Sequence, residues 1–182
     1  MAVTAAGTPY VESSDNVADY PGVSLALANH IDDTGGKVLQ VVSATKVDTF
    51  TTTSASFVDV TGLTVSITPS ATSSKILILS TFQAGNTLIN FNLFNLVRNS
   101  TELAQGTGGT NAATALSGLG HSNNNVGIAQ VSISNLDSPA TTSVTTYKIQ
   151  MRVDGGTGYV GRRGLNTFAV VSSNILVMEI SA

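Results

Sequence analysis

Leu63-Thr64-Val65-Ser66-Ile67-Thr68-Pro69 is the stretch on which the fold reading turns. Apolar and hydroxyl side chains alternate with a period of two, so Leu63, Val65 and Ile67 share one face of an extended segment while Thr64, Ser66 and Thr68 share the other. Pro69 lacks the N–H that a further ladder bond would need and ends the strand. A strand with one apolar face needs a second layer to cover it.

The same chemistry continues on both sides. Upstream, residues 37–46 begin with Val38, Leu39, Val41 and Val42, nearly continuous, which predicts a central strand covered on both faces. Residues 48–53 and 56–60 are two shorter alternating segments. Downstream, residues 75–84 hold Ile76-Leu77-Ile78-Leu79, the most apolar run of the first half, expected near the middle of the core. Residues 89–98 set Ile89, Phe91 and Leu93 against Asn90, Asn92 and, after a slip of phase, Asn95. The Asn side reads as a solvated sheet face or a polar strip facing a sugar or a neighbouring subunit, and the slip as a bulge. Residues 103–125 are rich in Gly and Asn and form the main variable loop, with one short helix expected over 110–116. Three further strands are expected over 126–134, 143–153 and 167–180, punctuated by Asp137-Ser138-Pro139 and by Asp154-Gly155-Gly156-Thr157-Gly158.

About eight to ten strands at roughly ten-residue spacing predict an all-β fold: an antiparallel β-sandwich or jelly roll over residues 37–182. An up-and-down barrel is the alternative topology.

The first 36 residues differ. Residues 1–18 show no sustained period and read as an extended arm. Asp19-Tyr20-Pro21-Gly22-Val23-Ser24-Leu25-Ala26-Leu27-Ala28-Asn29-His30-Ile31-Asp32-Asp33 places Val23, Ala26, Leu27, His30 and Ile31 at helical spacing. Pro21 suits a first helical turn and Gly35-Gly36 closes the segment. A helix of about 11 residues spans about 16 Å and is marginal alone in water, so it needs a surface to lie against. Tyr20, Pro21, Val23, Leu27 and Ile31 are its candidate docking residues. Residues 1–36 are thus expected to attach or trimerise the β-domain that follows.

Composition narrows the function classes. Charged residues make up 10% of 182, and the net charge is -3 with eight Lys and Arg in all. That argues against a nucleic-acid binder, which needs clustered basic side chains to neutralise phosphates. It also means a surface built from neutral hydroxyls and amides, or covered by other copies of the chain. With no Cys there is no disulfide, thiolate chemistry or Cys-based zinc site. The N-terminus lacks a basic, apolar secretory signal, and no window approaches the ~18 apolar residues of a membrane span. Folding in the reducing cytosol is expected.

No catalytic set emerges. There is no G-x-S-x-G elbow, no Walker lysine after Gly106-Thr107-Gly108-Gly109-Thr110, and no H-E-x-x-H or EF-hand loop. His30 reads as a packing residue. His121 near Asn123 is a residue that a threefold axis could bring together around a metal, but no metal, cofactor or enzymatic role is assigned. Asp48, Asp59 and Asp137 fall at expected strand ends or turns, where Asp is favoured in any case. Arg162-Arg163 is an adjacent basic pair, and Tyr159 beside Arg162 is the best aromatic candidate for a sugar contact. Asn123, Asn124, Tyr159 and Arg162 are the candidate receptor-contact residues.

The run from Thr8-Pro9-Tyr10-Val11-Glu12 through Asp19-Tyr20-Pro21-Gly22-Val23-Ser24-Leu25-Ala26-Leu27-Ala28-Asn29 resembles the start of virion proteins of tailed bacteriophages, especially tail-fibre and baseplate-associated proteins. Gly36-Lys37-Val38-Leu39-Gln40-Val41-Val42, Phe57-Val58-Asp59-Val60-Thr61-Gly62-Leu63 and the closing Ile175-Leu176-Val177-Met178-Glu179-Ile180 are similar to β-domains of phage fibres and appendages. The resemblance implies an N-terminal particle anchor, a trimeric β-domain and no catalytic residues. The expectation is a non-enzymatic virion component assembled in the host cytoplasm. It would be a small trimeric tail fibre or tail-associated appendage bound to other virion proteins through its N-terminus, and possible host-surface partners are a glycan or a protein. A head decoration protein and a carbohydrate-binding module are the alternatives.

Overall fold

The structure is a computed structural model that describes residues 2–3, 9–10, 37–107, 115–120 and 127–182. The expected helix with Tyr20, Pro21, Val23, Leu27 and Ile31 lies outside the described residues. So do most of the expected helix over 110–116, His30, His121, Asn123 and Asn124. The chain separates into two compact units, Met1–Lys37 and Val38–Ala182. In the first, where an extended arm is expected, β1 (Ala2–Val3) pairs antiparallel with β2 (Pro9–Tyr10).

The second unit is all-β, with two antiparallel sheets packed face to face. One sheet contains β3 (Val38–Lys46), β4 (Phe50–Thr52), β6 (Lys75–Asn86), β10 (Ala129–Asp137), β12 (Gly158–Val160) and β13 (Ser173–Ile180). The long β6 organises it. β10 runs along one side of β6, while β13 and then β12 share the other side, and β3 and β4 continue outward from those two. The second sheet contains β5 (Val58–Ile67), β7 (Phe91–Arg98), β8 (Thr101–Leu103), β9 (Ser117–Gly120) and β11 (Thr145–Val153), with β11 between β5 and β7.

The alternation in Leu63-Thr64-Val65-Ser66-Ile67 holds, with Leu63, Val65 and Ile67 buried and the hydroxyls exposed. They join Ile76, Ile78 and Phe82 of β6, Phe94 and Leu96 of β7, Tyr147, Ile149 and Met151 of β11, and Ile175 and Val177 of β13 in one core. Phe82 and Phe94 meet edge to face across the sheets, with ring centroids 4.9 Å apart. Each such side chain contributes roughly 1.5–3 kcal/mol by leaving water. The resulting two-layer packing is a sandwich, not an up-and-down barrel.

Several local expectations are corrected. β3 is an edge strand, not a central one, and Val38, Leu39 and Val41 are about half exposed. A nearly continuous apolar run specifies apolar faces, not the number of neighbours. Residues 56–60 and 63–68 belong to one strand, β5. Its register against β11 shifts between the Gln150–Asp59 and Lys148–Thr64 pairs. The bulge therefore lies in β5, where Gly62 adopts φ +89°, and not in β7, whose pairing with β11 is regular. The Asn side of β7 is not solvated. Asn92 and Asn95 are fully buried, whereas Phe91 is exposed. The last strand is shorter than expected and begins at Ser173, leaving a twelve-residue loop, 161–172, between β12 and β13.

Two polar clusters tie the layers together. Asp137, at the end of β10, accepts from Arg98 Nη1 on both carboxylate oxygens and from the Tyr147 hydroxyl. Glu179 of β13 is buried and accepts from Gln40 Nε2 and from both the N–H and hydroxyl of Ser70 in the β5–β6 connection.

Candidate functional site

The buried asparagines build the platform for the loops at one end of the sandwich. Asn86 Nδ2 donates to Asn92 Oδ1 at 2.9 Å and to the Gly155 carbonyl, and Asn86 Oδ1 accepts from the Leu88 N–H. Asn92 Nδ2 donates to the Gly85 carbonyl, and Asn90 Nδ2 to that of Asp154. Thr87 and Thr157 exchange two further bonds, from the Thr87 N–H to the Thr157 carbonyl and from the Thr157 N–H to the Thr87 hydroxyl. Short amide side chains suit this task, because each supplies donors and an acceptor to turns whose own backbone groups have left the ladder.

Loop 161–172 lies directly on that platform. A Cβ at Gly164 would sit 2.0 Å from the Asn86 carbonyl oxygen, and one at Gly85 would sit 2.8 Å from backbone atoms of Arg162, Arg163 and Gly164. The two backbones touch because neither residue has a side chain there. The Gly161 N–H donates to the Gln83 carbonyl, and the Val171 N–H to the Gly161 carbonyl, closing the loop on itself.

On this base stand two arginine–aromatic pairs. The Arg162 guanidinium lies 3.9 Å from the centre of the Tyr159 ring, while its Nε and Nη2 donate to the carbonyls of Arg163 and Gly164. The Arg163 guanidinium lies 5.2 Å from the Phe168 ring. Asn166 Oδ1 accepts from both Arg163 Nε and the Phe168 N–H, so one amide oxygen sets the spacing of cation and ring. Each stack contributes about 0.5–1 kcal/mol at such exposure. Phe168 is 85% exposed, and Leu165 and Val170 beside it are about half exposed.

Of the four candidate receptor-contact residues, Tyr159 and Arg162 are thus brought into contact, and Asn123 and Asn124 lie outside the described residues. Arg163 was noted only as half of a basic pair, and Phe168 was not singled out. The signal for them is a basic pair followed five residues later by an isolated Phe in a Gly- and Asn-containing segment, which the strand expected over 167–180 obscured.

A second surface is the outer face of the six-stranded sheet. In register across β3, β13, β6 and β10, Val41, Met178, Leu77 and Leu136 form one apolar row. The next row is Ser43, Leu176, Leu79 and Ser134, and the next Thr45, Asn174, Thr81 and Ser132. None of these twelve side chains is charged. A shallow depression of about 400 Å³ lies between Thr45, Leu79, Thr81, Leu176 and Met178.

No protein-family model matches this chain, and neither does any curated protein. Among the described residues, no cluster of three His, Cys, Asp or Glu is placed to hold a metal, and no helix is long and apolar enough to cross a membrane.

Proposed function

We propose that this chain is a structural component of a tailed-phage virion: a small fibre or tail-associated appendage whose β-sandwich associates with copies of itself and whose N-terminal segment docks on other virion proteins. The observation that carries the reading is the uncharged patch formed by those three rows on the outer face of the six-stranded sheet. An apolar row crossing all four strands is costly to leave in water and marks an interaction surface. Symmetry-related copies bring equivalent patches together, and an uncharged face avoids the like-charge contacts that such meetings can create. The resemblance of the N-terminal run to virion proteins supplies the particle context and implies three copies. The loop end around Arg162 and Phe168, at the far end of the same sheet, is the surface left to face the host.

The mass of the purified chain in solution tests the reading. A trimer at micromolar concentration supports it, and a strict monomer over that range overturns it. Imaging of labelled chains on particles then separates a tail position from a head position.

A further inference from the structure

Arg162 and Arg163 differ from the other two arginines in what faces them. Arg98 is held by both oxygens of Asp137, and Arg152 lies 4.0 Å from Asp154. Lys46 and Lys148 are paired with Asp48 and Asp59 at 2.7 and 2.8 Å. Among the described residues, no carboxylate stands within ion-pair reach of Arg162 or Arg163. Among the described residues, two adjacent guanidinium groups are therefore left without a counter-charge, in a chain whose net charge is -3. Asp48 and Asp154 each face a cation of their own, Lys46 and Arg152.

The donors of Arg162 are partly spent inside the loop, on the carbonyls of Arg163 and Gly164. Arg163 makes one internal hydrogen bond, from Nε to Asn166, and among the described residues no bond occupies its Nη groups. A guanidinium with two free Nη donors matches a planar carboxylate. Phe168, 85% exposed and fixed beside Arg163 by the shared Asn166 oxygen, offers a flat apolar face next to the cation. A planar anion held beside an apolar ring face is the pattern of a sugar that carries a carboxylate, where the ring's C–H face packs on the aromatic and the acid meets the arginine. Loop 161–172 presents this pair on a base knitted by Asn86 and Asn92, so little ordering is left for binding.

We propose that Arg163 and Phe168, supported by the Arg162–Tyr159 stack, form a binding site for carboxylated sugars in an acidic polysaccharide. This rests on the reading of the loop end as the host-facing surface. The full chain is titrated with polygalacturonate, with neutral dextran and with dextran sulfate. Polygalacturonate is expected to bind while dextran does not, the affinity falling as salt rises, and Arg163→Gln is expected to weaken binding about tenfold, the loss of one charge-assisted bond. Phe168→Ala is expected to weaken it without changing the salt dependence, because no charge is removed. Polygalacturonate binding no tighter than dextran, or unchanged in Arg163→Gln, overturns the proposal. Equal binding of dextran sulfate overturns the carboxylate assignment. A chain that trimerises and joins particles yet ignores polygalacturonate disproves this site and leaves the virion reading standing. Binding by a chain absent from particles does the reverse.

Discussion

The Tyr147 hydroxyl donates to Asp137 Oδ2 at 2.7 Å across the two sheets, with both residues buried. Burial and the adjoining carboxylate both push the phenol's pKa up, so it stays a donor across the accessible pH range. Because Arg98 spans the same carboxylate, Asp137 neutralises one group and orients another. Asp137→Ala leaves a partly buried guanidinium without its partner and a phenol without its acceptor. It is expected to destabilise the chain by about 3 kcal/mol in urea unfolding, whereas Tyr147→Phe, which leaves the Arg98 pair intact, costs about 1 kcal/mol.

Glu179 makes stability depend on acid. Burial would raise its pKa, but hydrogen bonds from Gln40, Ser70 and Ser74 outweigh it and hold the carboxyl down at about 2, below the ordinary 4.5. A group depressed on folding contributes fully above its unfolded value and loses that contribution as pH falls through the folded one. Unfolding free energy is therefore expected to decline from about pH 4.5 towards pH 2. Glu179→Gln removes the charge and is expected to be less stable near neutrality, by about 1–2 kcal/mol, with a shallower decline in acid. Parallel urea titrations of both chains at each pH measure this.

What could be read from sequence was what a two-residue period encodes. Leu63, Val65 and Ile67 declare their face because each neighbour is a hydroxyl, and the two-layer fold follows from several such segments. The neighbours of a strand are not written in its period, which is why β3 reads as central although it stands at an edge. Asn86 and Asn92 were illegible for another reason. An amide reads as solvated unless its partners are known, and theirs include Gly155, more than sixty residues away. β12 has three residues, too few to show a period. The Tyr159–Arg162 pairing was visible because only two residues separate them, while Phe168 reaches Arg163 only through the turn at Asn166.

The contact between loop 161–172 and β6 leaves no room for a side chain. Gly164→Ala places a Cβ 2.0 Å from the Asn86 carbonyl oxygen, which is backbone and cannot swing aside. The loop must lift, and the Arg162 bonds to the carbonyls of Arg163 and Gly164 shift with it. A loss of about 1–3 kcal/mol is expected, in line with overpacking at a close approach. Backbone amides of 161–172 are expected to exchange hydrogen faster, while those of β5 and β11 in the opposite sheet keep their protection.

Met178 tests the outer sheet face. It stands in the apolar row between Val41 and Leu77, half-buried, with its backbone in the ladder and its side chain away from the core. A charge placed there has solvent to turn to in a single copy, so Met178→Arg is expected to change unfolding free energy by no more than about 0.5 kcal/mol. Between copies the same charge meets itself or an apolar row, at a cost of several kcal/mol. Sedimentation velocity is therefore expected to find the variant monomeric at concentrations where the parent associates, a weakening of about 100-fold or more. Glu in place of Arg at 178 should act alike, because the effect comes from charging a neutral face and not from the sign. A variant that associates as tightly as the parent would place the subunit contact elsewhere on the chain.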